Sequence, residues 1–177
     1  SVGNNAALTI GGALASGGAV ALSHGRIVTI LSAGNDAAKS FTVTGTDING
    51  EAQTESITGA NAGTATGTKF FKTISGISAV GNPAGNVSAG VNTSAADVIF
   101  AGRSRLKGIY LTSTATAGTV DFLNTSPSGT SIMGLSSVGD ADATRDVVIP
   151  DEGVLFDDGI YIEYTVSTFL TMTVFHA

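Results

Sequence analysis

Residues 39–57 read KSFTVTGTDINGEAQTESI, and this stretch decides the fold class. Phe41 and Val43 alternate with Ser40, Thr42 and Thr44, so a pleated strand buries the first pair and wets the other three. Asp47-Ile48-Asn49-Gly50 follows, and Asn-Gly is a strong hairpin signal because a type I′ turn needs positive φ at both central residues. Residues 52–57 then return as a second strand. Helical spacing of apolar residues is missing, and glycine interrupts what little there is.

The same texture extends in both directions. Strands are expected over residues 26–32, 39–45, 52–57, 70–80 and 86–91, and again over 104–113, 119–123, 131–135, 145–149, 159–166 and 170–175. Turn residues separate them at intervals of about eight to twelve positions, the pattern of an all-β chain. Residues 59–68, GANAGTATGT, hold no large apolar side chain and read as a loop or an edge. Ile160, Ile162, Tyr164 and Val166 are expected on one face, and Leu170, Met172 and Val174 on another. The late aromatics Phe156, Tyr161, Tyr164, Phe169 and Phe175 are expected in a core. The fold class is therefore an antiparallel β-sandwich, jelly-roll-like, built as one elaborated sandwich or as two small β modules. In the second case the modules are 1–95, rich in Gly and Thr, and 96–177, more acidic and aromatic, with a soft boundary at 92–102. Residues 27–43 and 109–122 also echo one another, each reading as a strand, a small-residue turn and a strand, in the manner of a hairpin.

Composition narrows the function. Apolar residues make up 42% of the 177, enough for a core, but only 12% are charged. That is about half the share usual in soluble proteins, and it suggests a surface that meets protein rather than water. There is no cysteine, so disulfides and thiolate chemistry are excluded. The formal charge of −6 lies in the second half: residues 1–95 hold four acids and four bases, and the rest holds ten acids and four bases. Such a chain repels phosphate, so nucleic acid is not an expected partner. No apolar run reaches the roughly 18 residues of a membrane span. Residues 10–22 are apolar, but their first basic residue, Arg26, lies downstream, so no export signal is expected and a start at Ser1 fits removal of an initiator Met.

Catalytic constellations are hard to assemble. His24 and His176 are the two histidines, and neither lies in a local motif with a nucleophile. The pairs Gly11-Gly12 and Gly17-Gly18 are not followed by a helix, so they offer no phosphate cradle. Residues 150–159, PDEGVLFDDG, bring Asp157 and Asp158 close to Asp151 and Glu152, but without the residue order of a calcium loop. No catalytic residue, metal site or cofactor is expected, and the carboxylates read as solvated turns or as contacts for a basic partner. Arg103, Arg105 and Lys107 are spaced by two, so in one strand all three project from one face. They read as charges that discourage pairing of an edge strand, or as a docking patch for an acidic neighbour such as residues 140–158 of another subunit.

Residues 25–91 resemble modules of tailed-phage structural proteins: a strand, an A-G-N-D turn, a strand ending T-G-T-D, an N-G hairpin and a T-E-S-I-T-G strand. Residues 107–175 are similar to phage β modules with a T-A-G-T-V hairpin and an I-P-D-E-G-V-L-F-D-D-G-I-Y strand pair. The resemblance implies a virion component without catalytic residues, made in the host cytoplasm and carried on the particle. Its size and low charge fit a capsid decoration or cement protein on the head exterior. Such a protein contacts the major capsid protein, copies of itself, or both, as a homotrimer over a symmetry axis. Specific interfaces bury about 1,200–2,000 Å², and linked contacts gain roughly 10²–10⁴ in avidity. The alternatives are a tail, neck or fibre-associated virion protein that touches the host, and a secreted adhesin or carbohydrate-binding β-sandwich.

Overall fold

A computed structural model describes residues 6–11 and 15–177, and it is all-β and antiparallel, with no helix among the described residues. Gly12 of the Gly11-Gly12 pair and part of the apolar stretch at 10–22 fall outside them. The chain divides into two compact units, residues 1–92 and 93–177. The division lies three residues before the one expected from composition. It falls within a strand, Val87–Phe100, rather than in a linker.

In the first unit the strands are β1 (Ala15–Ser16), β2 (Ala19–Ser32), β3 (Ser40–Thr46), β4 (Ala52–Thr58), β5 (Thr64–Val80) and the first part of β6 (Val87–Phe100). They run in the order β4-β3-β5-β2-β6, with β1 beside β2. The 17-residue β5 serves two partners in turn: its first half pairs with β2 and its second half with β3. Residues 59–68 are thus a loop only as far as Gly63. The strand begins at Thr64, where pairing with Leu31 supplies what the small side chains lack.

Phe41 and Val43 are fully buried, as their alternation predicts. They meet Val28 and Ile30 of β2, Ile57 of β4 and Phe71, Ile74 and Ile77 of β5 in one core. Burial of each such side chain is worth about 1.5–3 kcal/mol. The hairpin between β3 and β4 is not type I′, because only Gly50 has positive φ, at 85°. Asp47 instead anchors the turn. Its backbone N–H donates to the Glu51 carbonyl at 2.9 Å, and its carboxylate accepts from the N–H groups of Asn49 and Glu51. An aspartate that caps its own turn removes the need for a left-handed residue at position 49.

The second unit holds the rest of β6 and β7 (Ser104–Ser113), β8 (Gly118–Asn124), β9 (Ser131–Ser137), β10 (Thr144–Val148), β11 (Val154–Phe156), β12 (Ile160–Thr165) and β13 (Phe169–His176). One sheet is ordered β6-β12-β8-β9, and a second is centred on β7. In that second sheet β10 and β11 flank one side of β7 in succession, while β13 pairs with the other. Leu106, Ile109 and Leu111 of β7 and Phe156 of β11 pack against Val120 and Phe122 of β8 and Ile160 and Ile162 of β12. Two sheets with their apolar faces together make a sandwich.

Several local expectations change here. Residues 154–156, absent from the strands expected from alternation, form a short strand. Strand β12 ends at Thr165, so Val166 is not part of its face. The two echoing segments are not hairpins: β5 lies between β2 and β3, and β7 and β8 belong to different sheets. Phe156 and Tyr161 are buried, but Phe175 is 53% exposed and does not belong to the core.

Candidate functional site

Strand β7 carries the basic residues picked out by their spacing. Arg103 lies in the bend before it, so only Arg105 and Lys107 share a strand face. The strand is interior to its sheet, which removes the edge-guarding role expected for the three charges. Their neighbour is the acidic segment of the same chain. Arg103 Nε lies 3.6 Å from Asp157 Oδ1, in an ion pair whose side chains are about 70% exposed (69% and 71%). Arg105 Nη1 donates to the carbonyls of Glu152 and Gly153 at 3.4 and 3.5 Å, and Lys107 Nζ to that of Asp151 at 3.3 Å. Pairing of β11 with residues 104–106 brings the two segments together. Within one subunit, then, Arg103 meets a carboxylate while Arg105 and Lys107 meet backbone carbonyls. Asp158 does not join this set; its backbone N–H donates to Asn124 Oδ1 at 3.1 Å.

The titratable groups are dispersed. His176 Nδ1 lies 3.3 Å from Ser104 Oγ, a pairing that local motifs did not signal because 72 residues separate the two. The Ser104 hydroxyl is buried and donates to the Ala177 carbonyl at 3.1 Å. These contacts, and the imidazole tilted against the Phe100 ring at 5.0 Å, help to fix the end of β13. Glu163 of β12 stands directly opposite Asp121 of β8. Burial first, and the Asp121 charge second, raise the Glu163 pKa. Tyr164 donates to Asp97 at 2.9 Å. Among the described residues, no group of three or more His, Asp or Glu side chains is disposed to hold a metal ion. A half-open apolar cavity of about 600 Å³ in the first unit is lined by Leu8, Ile10, Val20, Leu22, Ile77 and Val87, among others. It presents no charged side chain to orient a ligand.

The distinctive surface lies on the outer face of the β7 sheet. Val148, Gly108 and Phe175 form one row across three strands, and Asp146, Tyr110 and Thr173 form the next. The Phe175 ring leans over Gly108, 3.5 Å from where a Cβ would stand. Val148 is 77% exposed and Tyr110 41%. Strand β13 borders this patch as an edge strand, with β7 as its one strand partner among the described residues. One signal in the sequence could have found it: residues 164–177, YTVSTFLTMTVFHA, contain no Asp, Glu, Lys, Arg or Pro. Compared with protein-family models, curated proteins and solved structures, the chain matches none of them.

Proposed function

We propose that this chain is a non-catalytic structural protein of a repeated assembly, and that it serves as a decoration or cement protein on the head of a tailed-phage particle. It contacts the major capsid protein and copies of itself. The observation that carries the proposal is the outer face of the β7 sheet, where exposed Val148 and Phe175 flank Gly108 and Tyr110 stands in the next row, in a chain poor in charge. Contiguous exposed apolar surface of this kind marks a site of protein contact. Further support comes from the resemblance of residues 25–91 and 107–175 to phage structural modules.

Copy number on purified particles tests it. Quantitative mass spectrometry against the major capsid protein is expected to find the chain in hundreds of copies. A few copies would move it to the tail or neck, and complete absence from particles, together with specific retention on a glycan array, would make it a carbohydrate-binding module.

A further inference from the structure

We propose that strand β13, Phe169–His176, is a self-pairing edge that takes the same strand of a second copy of this chain, antiparallel, across a two-fold axis. The inference deepens the assembly reading, on which it rests, by naming one partner and the element that receives it.

An edge strand leaves backbone N–H and C=O groups unpaired along its outer side, and natural proteins guard such edges with charge, proline, bulges or cover. Two other edges are guarded by charge. Along β4, Lys69 Nζ donates to the Thr54 carbonyl at 2.8 Å, and the Glu55 carboxylate takes the N–H and hydroxyl of Thr68. Strand β10 carries exposed Arg145 and Asp146 and is followed by Pro150. Strand β9 is uncharged too, and its register with β8 shifts beside Ile132. Strand β13 carries no Asp, Glu, Lys, Arg or Pro across eight residues, and between its two register shifts, at Leu170 and before His176, Thr171–Phe175 keeps regular pairing with β7.

The charge distribution favours a second copy as the occupant. Residues 93–177 hold ten acids and four bases, so the second units of two copies repel each other. Along β13 that repulsion is least, because its side chains are Thr, Met, Val, Leu, Phe and one His. An antiparallel strand is also complementary to its own two-fold image, and such an isologous contact closes on itself instead of growing into a fibre. Leu170, 57% exposed, and Phe175 add apolar area beside the new ladder. One strand pair falls at the low end of specific interface sizes, below about 1,200 Å², so the free protein associates weakly and the contact gains strength within an assembly.

Sedimentation equilibrium of the purified chain over a wide concentration range tests the proposal, with hydrogen exchange as a second readout. The expected result is a monomer–dimer equilibrium in which β13 amides gain protection as the dimer forms. Thr173, exposed and near the middle of the strand, comes close to its own image, so Thr173→Lys is expected to weaken dimerisation roughly tenfold or more, about 1.4 kcal/mol. Ile132→Lys on β9 is expected to leave it unchanged, and circular dichroism checks that both variants are folded. A chain that stays monomeric up to its solubility limit overturns the proposal. So does a dimer that Thr173→Lys leaves intact, or one that Ile132→Lys disrupts equally. Failure here with hundreds of copies on particles would leave the assembly reading standing, whereas few copies on particles with an intact β13 dimer would fell that reading alone.

Discussion

Glu163 and Asp121 stand directly opposite each other on adjacent antiparallel strands, so the sheet of the second unit holds two carboxyl groups in one cross-strand pair. Like charges so placed are destabilising. Burial and Asp121 together raise the folded-state pKa of Glu163 above its ordinary value of 4.5. The neutral form is the one the folded state accommodates, so its stabilising contribution is full below 4.5 and is lost as pH rises through the raised value. Glu163→Gln is expected to raise the thermal midpoint at pH 7, to change it little at pH 4, and to flatten the pH profile between. Scanning calorimetry across that range checks it.

Asp36 is fully buried and joins three loops. Its Oδ1 accepts from the Ala84 N–H at 2.7 Å, its own N–H donates to the Ala60 carbonyl, and its carbonyl accepts from Lys39. Asp36→Ala leaves the Ala84 N–H unpaired and is expected to cost about 1–3 kcal/mol. Asp36→Asn retains an acceptor and is expected to cost less, as read from urea midpoints.

Gly45 lies at a register shift between β3 and β5, and a Cβ there would stand 1.9 Å from the Thr73 carbonyl oxygen. Gly45→Ala forces the two strands apart and is expected to lower stability by about 1–3 kcal/mol. Gly50→Ala, which meets open space but must hold positive φ, isolates the backbone term for comparison.

Two phenylalanines of the second unit separate folding from assembly. Phe122 is fully buried, and Phe122→Ala is expected to cost about 3–5 kcal/mol. Phe175→Ser, at a half-exposed position, is expected to change the thermal midpoint little while lowering occupancy on particles.

The Arg103–Asp157 pair is solvated, so Arg103→Ala is expected to cost less than about 1 kcal/mol and to show little dependence on salt. Urea denaturation at low and high ionic strength measures both.

The strands were legible because period-two burial is a local property. Residues 104–113 match β7 end to end, and Phe41 and Val43 lie where their alternation puts them. Long-range features were not legible. The turn at Asp47 took a different form because its own carboxylate caps it, and β5 began early because Leu31 pairs with Thr64. Alternation along 170–175 told which side chains share a face but not that one face stays open, so Phe175 was misplaced. The spacing of Arg103, Arg105 and Lys107 likewise gave a direction without showing their intrachain contacts, which go to residues 151–157. The neutral run at 164–177 was visible in the sequence, yet its meaning depended on β13 lying at an edge.

Electron cryo-microscopy of intact particles at subunit resolution tests the central claim most directly. The account predicts this two-unit β fold in symmetry-related copies over the head, with Tyr110, Val148 and Phe175 covered by neighbouring protein. A head lattice without it, or copies whose β7-sheet outer face stands bare to solvent, would contradict the account.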